Sequence, residues 1–201
     1  CGDGESTRAL AARHRQALVV GVERSPGRLR RAGVGREGWH RDGNAVFLRA
    51  DCIDVWRLAA AAGWRAAAQY FLYPNPWPKP RHLGRRWHGH PAFPAVLALG
   101  GRLEVRSNWA VYVHEFAAVV LAAWPAAAIS VTPYLPAAPQ SAFERKYHDS
   151  GQRLWRLVAV PAAGCGHGAH TTDFTAHNPA GKTGGKTRPW QSAGKTAGGT
   201  A

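Results

Sequence analysis

Tyr70-Phe71-Leu72-Tyr73-Pro74-Asn75-Pro76-Trp77-Pro78-Lys79 is the stretch on which the fold turns. A short apolar run reads as a strand, and it meets three prolines within five residues. Proline lacks an N–H and fixes φ, so neither a central strand nor a helix continues past Tyr73. The strand therefore ends in a stiff turn that carries an amide, an indole and a lysine. A basic run, Arg81-His82-Leu83-Gly84-Arg85-Arg86-Trp87, follows directly. In α/β proteins the turns just past strand ends are where ligands are held.

Working outward, strands and helices alternate. Glu5 to His14 reads as a helix, and Leu18 to Val22 as a buried strand ended by Glu23. Ser25-Pro26 is an N-cap and first-turn pair for a second helix. Gly33 to Gly43 reads as a loop. Val46 to Ala50 is a strand ended by Asp51, and Ile53 to Ala62 an alanine-rich helix stopped by Gly63. Past the proline turn, Pro91–Leu99 reads as a helix, Arg102–Arg106 as a strand, Trp109–Ala123 as a helix and Leu154–Val160 as a last strand. This order predicts an α/β, Rossmann-like fold, a mostly parallel sheet with helices on both faces. Glu23, Asp51, Asn75 and Asn108 all lie just past strand ends, which makes them one candidate site.

Composition narrows the class. The chain has 201 residues, 45% apolar, with nine tryptophans and a formal net charge of +14. That is enough for one domain with a core, and a surface that favours polyanions, nucleic acid first. No apolar run approaches the roughly 18 residues of a membrane span. Cys1, Cys52 and Cys165 are too few and too scattered for a disulfide framework, which fits a reducing cytoplasm. From residue 162 to 201, Gly, Thr, Lys and Ala dominate without apolar periodicity, which predicts a disordered basic tail after a domain spanning 1–161. Gly-Lys-Thr recurs there three times, but each copy lacks the glycine and the strand that a phosphate-binding loop needs. Cys165, His167 and His170 are too small a set for a metal site.

Together the motifs resemble a family. Cys1-Gly2-Asp3-Gly4 before a helix, Glu23 and Asp51 at strand ends, and Pro74-Asn75-Pro76-Trp77 resemble class I methyltransferases that use S-adenosylmethionine. Tyr73 to His82 resembles the Phe-Pro-Asp-Pro-Trp-Pro-Lys-x-Arg-His segment of the bacterial tRNA (guanine-N7)-methyltransferase family (TrmB type). Ser107-Asn108-Trp109 resembles its Thr-Asp-Trp block, and Ser141-Ala142-Phe143-Glu144 its Thr-x-Phe-Glu block. The resemblance covers roughly residues 1–160. Two aspartates of the family stand here as Asn75 and Asn108, and the first strand, expected before Cys1, is missing. The resemblance implies S-adenosylmethionine held by Gly2, Gly4, Glu23, Asp51, Cys52, Leu72 and Asn75, with Asn75 also at the chemistry. It implies tRNA held by Lys79, Arg81, Arg85, Arg86, Asn108, Ser141 and Glu144, in a cytoplasmic monomer or weak homodimer. A catalytically weak RNA-binding paralogue and an enzyme methylating an exocyclic amino group remain open as alternatives.

Overall fold

The computed structural model describes residues 1–162. Helix α1 (Glu5–Arg13) has an acidic first turn and a basic last turn, both favourable to its dipole, and buries Thr7, Leu10 and Ala11. It leads into β1 (Val19–Glu23) and α2 (Pro26–Arg31), which Ser25 caps with its side chain and Pro26 opens. A hairpin of β2 (Trp39–Asp42) and β3 (Ala45–Arg49) follows, then α3 (Cys52–Ala61), capped by Asp51. Next come β4 (Ala68–Leu72), two 3₁₀ turns at Pro80–Arg85 and Trp87–Gly89, and α4 (Phe93–Leu99). The described chain closes with β5 (Arg102–Ser107), α5 (Ala110–Ala123), β6 (Ala128–Tyr134), α6 (Ala142–Asp149) and β7 (Leu154–Val160).

The strands form two sheets, ordered β1-β3-β2 and β4-β5-β7-β6. The pairs β1–β3 and β4–β5 are parallel, as α/β alternation predicts. The pairs β2–β3, β5–β7 and β6–β7 are antiparallel, so the pairing is mixed rather than mostly parallel. Two of the antiparallel strands, β2 and β6, were not expected, and both lie at sheet edges. Trp39, Arg41 and Asp42 are exposed and only His40 is half-buried, so β2 carries almost no apolar pattern; its only signal is Asp42-Gly43, a hairpin dipeptide. In β6 exposed and half-buried residues alternate up to Pro133, which an edge strand tolerates. Helix α6 was also not expected; Ser141 caps it by accepting from the Glu144 N–H at 3.1 Å.

The larger core lies between one face of the four-stranded sheet and helices α4 and α5. Phe71, Leu103, Val105 and Leu157 meet Phe93, Val96, Tyr112 and Phe116 there. A smaller core of Leu29, Ala32, Val34, Ala45 and Phe47 supports the three-stranded sheet. Trp56 of α3 reaches across to the larger core, with ring centroids 5.5 Å from Phe71 and 4.9 Å from Trp87. Among the described residues β1 and β4 each pair on one side only. The basic tail and its cysteine and histidines lie outside the described residues beyond 162.

Candidate active site

The loop before α1 is built from backbone. Gly2 (φ 62°) and Gly4 (φ 86°) take the left-handed conformation that glycine adopts without steric cost. A Cβ on Gly4 would come within 2.6 Å of the Phe47 ring, whereas nothing lies within 4 Å of one on Gly2. Gly4 thus fits the loop onto the core, and Gly2 leaves open space above it. The N-cap residue Gly4 has no side chain to cap α1, and Asp3 accepts from the Glu5 N–H at a long 3.5 Å, so the first turn keeps N–H groups for a ligand or water.

Glu23 ties this loop to α2. Its carboxylate accepts from Gly2 N–H at 3.1 Å and Ser25 N–H at 2.9 Å, and Arg28 lies 3.6 Å away. Burial pushes its pKa up, but the N–H groups of Ser25 and Gly2 and the Arg28 charge pull it down. The net shift is below the usual carboxylate range. Four acceptor positions on a carboxylate leave two beyond those bonds. Asp51 accepts from Ile53 N–H at 2.9 Å as the cap of α3, with Arg24 at 3.7 Å. Cys52 beside it is half-buried, and burial raises its thiol pKa. Gly2, Gly4, Glu23, Asp51 and Cys52 therefore come together at the carboxyl ends of β1 and β3.

The second group surrounds the proline turn at the end of β4. Tyr73 (φ 52°) and Trp77 (φ 44°) are both left-handed, the only two such non-glycine residues among those described. Each such residue costs roughly 1–2 kcal/mol, so the surroundings must hold it. Tyr73 N–H donates to the Arg106 carbonyl at 2.8 Å and its hydroxyl to Glu144 at 2.8 Å. Trp77 N–H donates to Asn75 Oδ1 at 3.2 Å, closing a side-chain turn with Asn75 exposed at its tip. Arg86 donates to the Trp77 carbonyl at 3.2 and 3.1 Å and to the Pro78 carbonyl at 3.3 Å, and it pairs with Glu115 of α5.

These contacts correct two of the sequence readings. Arg86 is 6% exposed and its donors are spent on the turn, so it positions Trp77 instead of touching RNA. Glu144 is 1% exposed and accepts from Tyr73, Arg106 and the Gln140 N–H, so it braces the turn and does not reach a substrate. Ser141 is engaged as the cap of α6. Asn108 donates to Gln152 at 2.7 Å from the end of β5. Leu72, half-buried, is the last residue of β4, and Lys79, Arg81 and Arg85 are exposed beside the turn. The Arg85 guanidinium lies 4.9 Å from the Trp77 ring centroid.

The brace itself escaped sequence reading. Arg86, Glu104, Arg106 and Glu144 look like ordinary surface charges in a basic chain, and nothing local marks them as buried. One further link joins the two groups: Arg145, next to Glu144, donates to Glu5 of α1 at 2.9 and 3.0 Å. No group of metal-ligating residues occurs among the described residues, and no described helix is long and apolar enough to cross a membrane.

Comparison with known proteins fits this geometry. A family model described as "Putative methyltransferase" matches residues 1–157. The tRNA (guanine-N(7)-)-methyltransferase of Treponema pallidum (strain Nichols) is 32% identical over 171 residues, which are 80% of this chain and 64% of the relative. The chain thus spans just under two thirds of that relative's length. The enzyme of the same name from Leifsonia xyli subsp. xyli is 33% identical, covering 80% of this chain and 73% of the relative. Among solved structures, the 16S rRNA methyltransferase KamB superposes with a TM-score of 0.54 at 15% identity, covering 80% of this chain and 84% of that one. An antibiotic-related methyltransferase gives 0.52 at 12% identity over 79% and 82%. Those two likenesses confirm the Rossmann-like methyltransferase fold. With the family model spanning nearly the whole described region and relatives above 30% identity, this chain belongs to the tRNA (guanine-N(7)-)-methyltransferase family.

Proposed function

We propose that this protein transfers a methyl group from S-adenosylmethionine to N7 of a guanine in tRNA. The observation that carries the proposal is the braced turn. A strained Tyr73–Trp77 segment holds one amide exposed at a strand end, beside exposed Lys79, Arg81 and Arg85. Strain held by buried bonds is characteristic of functional sites. Family membership supports the same reading, and a cytoplasmic location goes with a tRNA substrate.

The residues at the carboxyl ends of β1 and β3 fit the cofactor. Open space over Gly2 and the N-terminal end of α1 suit its methionine part. The two remaining acceptor positions of Glu23 suit a pair of ribose hydroxyls, and Asp51 with the Cys52 backbone suits the adenine edge. When bound, S-adenosylmethionine supplies a sulfonium methyl as electrophile, and the electrons of the broken S–C bond stay on sulfur.

Guanine N7 attacks through a lone pair and carries no proton. The site therefore needs no general base, and orientation supplies up to roughly 7–11 kcal/mol. Asn75 Oδ1 has a lone pair beyond the one given to Trp77 N–H, and it accepts from guanine N1–H or the exocyclic amine. Being neutral, it holds the base less strongly than a carboxylate, since charge-assisted bonds are about twice as strong. Trp77 or Tyr73 offers a ring for the base to stack on. Lys79, Arg81 and Arg85 meet the RNA backbone.

The test is to incubate the protein with S-adenosylmethionine and tRNA and map the methylated atom. Strand scission specific for N7-methylguanine is the expected result. Methylation of an exocyclic amine would overturn the target, and tRNA binding without cofactor binding would overturn the activity.

A further inference from the structure

The four-stranded sheet has two unlike faces. Phe71, Leu103, Val105 and Leu157 line one, under α4 and α5. The other bears an open recess of about 310 Å³ lined by Arg102, Glu104, Arg106, Tyr134 and Arg156, and by Arg13 from the end of α1. Alternation along β5 dictates this: Leu103 and Val105 point to the core, and Arg102, Glu104 and Arg106 point the other way.

The charges in this recess do not balance. Glu104 is shared by Arg102 and Arg106, each at 2.7 Å, and Arg106 also reaches Glu144 at 3.0 Å. Those pairs consume the acid. Arg156 stands directly across from Arg106 in the β5–β7 register, a placement that like charges disfavour. Both guanidiniums lie against the Tyr134 ring, 4.5 Å away for Arg106 and 5.1 Å for Arg156. Among the described residues, neither Arg156 nor Arg13 has a carboxylate within ion-pair reach. The Arg156 Nε is buried and has no acceptor among them either. A buried guanidinium N–H without an acceptor is costly, so a ligand that brings an acceptor to it is favoured.

We propose that this recess is an oxyanion site that takes a phosphate group, held by Arg156 and Arg13 with Arg102 beside them. A carboxylate offers two oxygens in one plane. A phosphate offers acceptors in several directions, which suits guanidiniums that come from three different elements, β7, β5 and α1. The site lies on the sheet face, and none of its lining belongs to the Gly2–Cys52 group, while Glu104 and Arg106 are shared with the brace of the proline turn.

The test uses the 201-residue chain and inorganic phosphate at constant ionic strength, read by titration calorimetry and melting temperature. No methyl transfer enters the readout, so the result stands whether or not the proposed activity does. Saturable binding with a rise in melting temperature is expected, with acetate at the same ionic strength far weaker. Arg156→Gln should lower the phosphate affinity at least tenfold. Arg13→Gln, an exposed change that leaves folding intact, should weaken it as well. A second arm finds the source of the phosphate. A tRNA salt slope reduced by about one in Arg156→Gln identifies an RNA backbone phosphate. An unchanged slope identifies a free phosphate-bearing molecule. Phosphate binding equal in wild type and both variants would reduce the effect to general attraction by a +14 chain and overturn the site. Acetate matching phosphate would overturn the phosphate assignment.

Discussion

The loop at Gly2–Gly4 and the turn at Tyr73–Trp77 both sit at strand ends, yet they are held in opposite ways. The first is two glycines around Asp3, and its order comes from its own backbone N–H groups, Gly2 bound to Glu23 and Gly4 to the Cys1 carbonyl. The second is made of prolines and aromatics in left-handed conformations, and buried guanidinium–carboxylate contacts hold it. A region that must let backbone approach a ligand needs missing side chains. A region that must aim one amide at a base needs rigidity, which here comes from outside the segment.

That contrast predicts where each region breaks. Arg86→Ala leaves Glu115 and two carbonyls without their donor, and should cost about 2–4 kcal/mol, discounted because Glu115 is partly exposed. Its tRNA salt dependence should stay as in wild type, while Arg85→Ala, with native stability, should flatten it. Denaturant unfolding together with tRNA binding across salt checks both. An unaltered stability in Arg86→Ala would remove the clamp.

Gly4→Ala should come next, at roughly 2–3 kcal/mol, because a Cβ meets Phe47 at 2.6 Å on a left-handed backbone. Gly2→Ala should cost only about 1 kcal/mol, since its Cβ meets nothing within 4 Å. It should instead weaken S-adenosylmethionine binding, as isothermal titration would show. Equal stability losses at the two positions would erase the division of labour between them.

A smaller effect should follow acid. His88 is buried against Tyr112 and Phe116, 3.3 Å from the Glu115 carboxylate that Arg86 also uses. Burial lowers its pKa below the ordinary imidazole value of 6.5, outweighing the pull of Glu115. The unfolded chain therefore takes the proton first. Stability conferred by the neutral ring should be fully present above about pH 6.5 and decline as pH falls toward the folded value. His88→Phe should flatten that decline in melting temperature against pH, and an identical profile would refute the assignment.

The half of the candidate site that depends on local chemistry was legible in the sequence. Glycines before a helix, acids after apolar runs and prolines after Leu72 each announce themselves within a few residues. Strands β1, β3, β4, β5 and β7 were legible for the same reason, as apolar runs bounded by turn residues. Strands β2 and β6 were not, because an edge strand does not need a continuous apolar pattern. The brace was hidden for a deeper reason. Arg86 and Glu115 are 29 residues apart, and Tyr73 and Glu144 are 71 apart. No local pattern distinguishes a charge that will be buried against a distant partner from one that stays in water. Arg86 and Glu144 were accordingly read as substrate contacts, and only the packing of α5 and α6 shows otherwise.

The most direct test of the division between loop and turn is Asn75→Ala, measured for turnover on tRNA and for S-adenosylmethionine affinity in the same preparation. Asn75 is exposed and its lost bond to Trp77 is local, so the variant should fold. Turnover falling by an order of magnitude or more, with cofactor affinity within about twofold of wild type, is the expected result. Equal losses in both would place Asn75 on the cofactor and contradict the account.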